Sequence, residues 1–288
     1  QESSADQAGI RFLESNRESS RGMLEFLSTL SGQELLSGRS RSPYASTHPL
    51  TRDRIAFVEE QVKNSRYSDE KLPEDLQQKH RRMVAKLHGF IRSPARTFKA
   101  YPDTDTSVEA RYARAVATYR LPDAEKAVSL VDDLLADYPD DPYFYELKGQ
   151  IQFEDAKPAE AEVAYRKAHE ALPDAPRIEL ELSRVLLALD TPEKDQEAQT
   201  HLEHVVQLIP NSTFAWRQLA IAYGRNGEHG MSALALAEEA FRAGQEHDAA
   251  LQANRAKQKL KPHTEAWLRA SDIEELSTPR DRERKKKN

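Results

Sequence analysis

From about Asp105 to Gly244 the chain is a succession of amphipathic runs, with apolar residues recurring three and four apart and prolines between the runs. Three prolines stand out, in ADYPDD, ALPDA and LIPNS. Pro139 and Pro173 are 34 residues apart, and Pro173 and Pro210 are 37 apart. Proline cannot continue a helix, because it has no N–H and its ring collides with the preceding turn. The pattern therefore predicts helices ending just before each proline, with a repeat every two helices.

A period of 34 is that of the tetratricopeptide (TPR) repeat, a helical hairpin that stacks into a solenoid. Side-chain sizes agree. In the second unit, Tyr145, Gly149, Ala161, Tyr165, Ala168 and Pro173 fall on the large, small, small, large, small and proline sites. In the fourth, Trp216, Leu219, Ala220 and Tyr223 occupy the first helix, and Ala233, Ala237 and Ala240 the second. Small residues let two helices cross closely, and large ones fill the space beside them. These side chains are expected in the core. The third unit carries about three extra residues near TPEKD, where a loop tolerates insertion. The first unit keeps Ala115 and Ala127 but lacks the aromatic at the pattern's site. A helix from about Asp248 to Leu260, with Trp267 and Ile273 docking after it, is expected to cap the last apolar face. Repeat arrays of this type bind extended peptides or partner helices, so a protein or peptide partner on the concave surface is expected.

Residues 1–102 show no such period. Helices are expected at about 2–15, 21–31, 51–65 and 73–92, with a loop at 37–50. That loop contains the step His48-Pro49, and the proline restricts the backbone of His48. Glu2 and Asp6, four apart, share one helix face. Residues 1–14 read as the interior of a helix without capping residues ahead of them, so a processed form or a piece of a longer polypeptide is expected.

Composition narrows the classes. Only 10 glycines and few β-branched runs argue against a sheet-rich fold. A net charge of −6 is unlike a nucleic-acid binder. No cysteine occurs, which removes disulfides and thiol chemistry and fits either periplasm or cytosol. No apolar run reaches the roughly 20 residues of a membrane span. The basic tail RDRERKKKN reads as a solvated, disordered end. His201 and His204, three apart on a helix, read as surface or packing residues for want of an evident third ligand. His80 and His88 are placed on a solvated helix face.

Residues 2–12 (ESSADQAGIRF) and 46–55 (STHPLTRDRI) resemble two signature segments of the HExxH zinc metalloproteases of the HtpX and BepA kind. The helix GMLEFLSTL between them and the repeat array after them match the BepA-like subgroup. The resemblance implies an all-α chain: the N-terminal helical segment of a zincin-type metalloprotease followed by a TPR α-solenoid. It implies that Glu2 is the third zinc ligand, that Asp6 holds a zinc-bound histidine by its other ring nitrogen, and that His48 lies near the metal as a switch or catalytic aid. It also implies a periplasmic location and a role in quality control of outer-membrane proteins.

The sequence departs from the family in two places. SNRESS replaces the family's A-G-Y-D-P turn, and no H-E-x-x-H occurs. The string His169-Glu170-Ala171-Leu172-Pro173 is a chance partial match inside a repeat helix. Zinc is therefore expected in the complete protein and not on this chain alone, which should be inactive, with Glu2 at an exposed end. The expected organisation is 1–102 for the metalloprotease part and linker helices, 103–275 for about four repeats and a cap, and 276–288 for the tail. The competing readings are a non-catalytic TPR scaffold and a cytosolic TPR adaptor whose N-terminal match is accidental.

Overall fold

A computed structural model describes residues 2–36 and 52–278, all of whose regular structure is helical. The chain divides into two compact units, Gln1–Arg81 and Arg82–Asn288.

In the first unit, α1 (Glu2–Ser15) and α2 (Arg21–Leu36) pack on α3 (Arg52–Asn64). Ile10, Leu27, Val58 and Val62 form the buried centre, with Met23, Leu24, Ile55 and Phe57 around it. This follows from spacing: Val58 and Val62 are four apart, so one face of α3 is apolar. The turn after α1 closes with Arg17 at φ 60°, and the Glu18 N–H donates to Leu13 O at 2.8 Å. The Ser19 hydroxyl donates to Ser68 O at 2.6 Å, which ties this turn to the segment after α3.

The second unit begins within α4 (Glu74–Ile91) and continues through α5 (Pro94–Ala100) into four hairpins. These are α6 (Val108–Tyr119) with α7 (Ala124–Asp137), α8 (Pro142–Glu154) with α9 (Pro158–Ala171), α10 (Pro176–Leu189) with α11 (Pro192–Leu208), and α12 (Thr213–Arg225) with α13 (His229–Arg242). Two further helices, α14 (Glu246–Lys259) and α15 (Glu265–Ser277), pack on the last hairpin. The helices α7, α9 and α11 each end two residues before Pro139, Pro173 and Pro210. Prolines also open α8, α9, α10 and α11, where the missing N–H would have no partner in any case. Side-chain caps from Ser107, Asp123, Asp141, Thr191, Ser212 and Thr264 fix other helix starts.

The size pattern is realised in three dimensions. Gly149 leaves room for the Tyr165 ring, since a Cβ there would lie 2.7 Å from Tyr165 Cδ2. Ala161, Ala168, Leu219, Ala220, Tyr223, Ala233, Ala237 and Ala240 are buried as expected. Tyr145 and Trp216 are only half-buried. The Trp216 indole N–H donates to Pro210 O at 2.8 Å, which explains its position at the rim. The first hairpin buries Tyr112 instead of an aromatic at the pattern's site, edge-on to Phe144 with centroids 5.1 Å apart.

Three expectations change. The compact unit containing the repeats starts at Arg82, well before 103. The reason is that the end of α4 packs on the first two hairpins: Gly89 lies against Val116, and Arg82 pairs with Asp141 at 2.7 Å. On that packed face His88 stacks edge-on against Tyr101 at 5.6 Å, so it is not on a solvated face, whereas His80 is exposed. Finally, α15 runs through the expected start of the tail, because Ser277 is buried. Residues 279–288 lie outside the described residues. Ile273 is fully buried in the cap, and Lys257 Nζ sits 5.1 Å from the Trp267 ring centroid. No helix among the described residues is long and apolar enough to cross a membrane.

One turn offers a direct test of the hairpin geometry. Ala156 sits at φ 58° between α8 and α9, with the Lys157 N–H donating to Gln152 O at 2.9 Å. The corresponding turn of the fourth hairpin has Gly227 at φ 79° and the same bond, Glu228 N–H to Tyr223 O at 2.8 Å. A Cβ in this region is strained by roughly 1–2 kcal/mol, offset in part by glycine's greater chain entropy. Ala156→Gly should therefore stabilise the second unit by about 0.5–1 kcal/mol in chemical denaturation. A loss of stability would contradict this account of the turn.

Candidate functional site

The three helices of the first unit bring the two acidic residues of α1 to one basic residue of α3. Asp6 is buried, with its side chain 5% exposed. Arg54, in the first turn of α3, donates from Nε to Asp6 Oδ2 at 2.7 Å and from Nη2 to Oδ1 at 2.9 Å. This is the two-pronged guanidinium–carboxylate fork, in which geometry and charge reinforce each other. The same guanidinium reaches Glu2, with Nη1 3.4 Å from Oε2. One cation thus sits against two carboxylates that would otherwise repel across a helical turn.

Glu2 is the first residue of α1, and its side chain is one-third exposed. It is not at the exposed end expected from the sequence, because Arg54 covers it. Both Asp6 oxygens are engaged by Arg54. An ionised carboxylate has about four acceptor sites, so Asp6 keeps acceptor capacity beyond the two bonds from Arg54. His48 lies outside the described residues. Arg54 is the residue that sequence reasoning missed. Its signal was present in the segment THPLTRDRI, but its partner is 48 positions away.

Residues 1–62 match the model of Peptidase family M48. The matched span contains Glu2, Asp6 and Arg54. Members of that family are zinc metalloproteases. No curated protein sequence matches the chain. Among solved structures, one similar chain is YrrB, described as a TPR protein with an unusual peptide-binding site. It has 19% identity and a TM-score of 0.47, covering 64% of this chain and 94% of that one. Another is a tetratricopeptide repeat protein from Parabacteroides merdae ATCC 43184, at 14% identity and a TM-score of 0.41, covering 78% and 93%. MamA is similar at 14% identity and a TM-score of 0.44, covering 60% and 96%.

The residues around Glu2 can be judged against a zinc ion. A catalytic zinc takes three protein ligands and a water. Among the described residues this end of the molecule brings Glu2 and Asp6 together with an arginine, and no imidazole. By themselves these residues do not make a zinc site. What they make is an ion-pair cluster that ties α1 to α3 beside Glu2.

The second unit gathers a different set of groups, at α9, α10 and α11. His201 and His204, read from sequence as an isolated pair, both hydrogen-bond to the buried Glu179, and His169 lies beside them. The pair is thus packed against a carboxylate and a third imidazole rather than isolated on the surface. No sequence signal marks Glu179, which sits more than 20 positions before the pair and on another helix.

Proposed function

We propose that this chain is the C-terminal portion of a periplasmic zinc-dependent metalloendopeptidase of the HtpX and BepA kind. Its repeat array would dock protein substrates or partners in outer-membrane protein quality control. The observation that carries the reading is the coincidence of the Peptidase family M48 match over residues 1–62 with the convergence of Glu2, Asp6 and Arg54 inside that span. In the complete protein Glu2 would be a zinc ligand, with Arg54 beside it, Asp6 holding a zinc-bound histidine by its other ring nitrogen, and His48 near the metal. The histidine pair would come from an H-E-x-x-H helix outside the sequence given. The periplasmic location rests on the resemblance alone.

Docking of a protein or peptide is supported by the first helices of the hairpins. Arg184 of α10 lies 5.3 Å from the ring centroid of Phe153 on α8 and 5.2 Å from that of Phe214 on α12. Phe214 stays 43% exposed. Arg184 is paired with Glu181 on its own helix, so what this row offers an extended chain is mainly apolar and aromatic contact around a cation.

The second reading, a non-catalytic TPR scaffold, draws on the same ion pair, since Arg54 already compensates Asp6 without any metal. Casein cleavage by a polypeptide extended ahead of Gln1 separates the two. The protease reading expects cleavage that Glu2→Gln abolishes. Cleavage indifferent to Glu2→Gln, or an extension with no H-E-x-x-H and no cleavage, would leave the scaffold.

A further inference from the structure

Three histidines converge on one carboxylate in the repeat array. Glu179, in the first turn of α10, has a side chain only 4% exposed. His201 Nδ1 is 3.0 Å from its Oε1, and His204 Nδ1 is 2.8 Å from its Oε2. His169, in the last turn of α9, packs edge-on against His201, with ring centroids 5.3 Å apart and planes at 90°. Its Nδ1 is buried and has no hydrogen-bond partner. One ligand atom each from His169, Glu179 and His201 lies within 4.8 Å of the other two.

The charge balance at Glu179 is unlike that of the other buried acids. Among the described residues Asp6, Asp195 and Glu238 are also buried. Each of those faces a guanidinium: Asp6 meets Arg54, Asp195 meets Arg225 at 3.1 Å, and Glu238 meets Arg242 and Arg269. Glu179 is hydrogen-bonded by imidazoles only. A carboxylate removed from water needs a compensating positive charge. A neutral imidazole supplies a donor but no charge.

We propose that His169, Glu179 and His201 form a site for a zinc-class divalent cation, with His204 available as a fourth ligand, that pins α9, α10 and α11 together. The donor set suits such an ion. Imidazole nitrogens with one carboxylate are zinc-type ligands, whereas calcium and magnesium want oxygen cages. Ligand atoms of a tetrahedral zinc lie about 3.3 Å apart, given bonds of roughly 2.0–2.1 Å. The His201–Glu179 pair, at 3.0 Å, is close to that spacing, and a ligand atom of His169 lies within 4.8 Å of both.

The surroundings support ligation. Burial pushes the His169 imidazole below the usual histidine range. Glu179 opposes that shift, and His201, His204 and Arg166 reinforce it. Glu197 Oε1 lies 3.9 Å from His201 Nε2, longer than a hydrogen bond but near the nitrogen that ligation through Nδ1 would leave protonated. Glu197 is itself held by Arg166 at 2.7 and 2.8 Å. The His204 side chain is 47% exposed and leaves a route for the ion from solvent.

The test uses the full chain, stripped with a chelator and titrated with zinc chloride at neutral pH against a chromophoric competitor, with elemental analysis for stoichiometry. One zinc per chain is expected. His169→Gln and Glu179→Gln should each weaken binding at least about tenfold. Circular dichroism of the stripped variants should match the parent. If burial of Glu179 prevents its variant from folding, the half-buried His169 decides alone. Glu2→Gln should leave this zinc in place, so the result is independent of the protease reading. Zinc uptake equal in the parent and in folded His169→Gln, or no uptake by the parent, would overturn the proposal.

Discussion

Arg54→Ala is expected to destabilise the first unit by about 3–5 kcal/mol, the range for breaking a buried ion pair by removing one partner. The expectation follows from burial: the Arg54 and Asp6 side chains are 10% and 5% exposed, so the orphaned carboxylate cannot recover water without opening α1 from α3. An exposed pair would give only about 0–1 kcal/mol. Hydrogen exchange reads the effect locally. Protection of the α1 and α3 amides should fall by roughly a hundredfold or more, since about 1.4 kcal/mol corresponds to tenfold. Arg54→Met combined with Asp6→Leu should recover much of the loss, because a buried pair replaced by apolar groups is often neutral. A loss under about 1 kcal/mol for Arg54→Ala would mean that the fork is incidental.

Glu238 is the second position where a large effect is expected. It lies on α13 with a side chain 6% exposed, and it pairs with Arg242 on its own helix. It also accepts from Arg269 on α15, through Nε at 2.7 Å and Nη2 at 3.0 Å. The triad therefore fastens the cap to the last hairpin. Desolvation by itself would raise the Glu238 carboxyl. The hydrogen bonds from Arg269 and Arg242 outweigh it and hold the group below its usual 4.5. A carboxylate whose pKa is lower folded than unfolded adds stability above the unfolded value and loses it as pH falls through the folded one. Glu162, held by Lys194 and Arg166 against its own desolvation, and Glu197 and Glu274, held by Arg166 and Lys257, shift the same way. The second unit should thus lose stability progressively below about pH 4.5.

Glu238→Ala should cost about 3 kcal/mol at pH 7, the low end for a broken buried pair because both arginines regain water. Near pH 3 the gap to the parent should shrink. Melting followed by the fluorescence of Trp216 and Trp267, both in the second unit, checks this. A gap of equal size at both pH values would contradict the assignment.

What could be read from the sequence was whatever is encoded locally. Helix ends follow from Pro139, Pro173 and Pro210, because proline acts within its own turn. The Gly149–Tyr165 match was legible because a hairpin sets the spacing of its two helices. The fork was not legible. Asp6 and Arg54 are 48 residues apart, and no periodicity says which of several acidic and basic residues will face each other once α1 and α3 cross. The position of Glu179 was hidden for the same reason. It looks like any acid in the first turn of a helix, and only the packing of α10 against α9 and α11 turns it toward three imidazoles. Within the four-residue pattern of α1 the shared face of Glu2 and Asp6 was readable. What that face meets required the fold.

Zinc affinity of the extended polypeptide, measured in a background carrying His169→Gln and Glu179→Gln, probes Glu2 with the repeat site removed. The protease reading expects one tightly held zinc and a loss of more than about a hundredfold in affinity on Glu2→Gln. An extended polypeptide that takes up no zinc, or one that holds it equally well after Glu2→Gln, would contradict it.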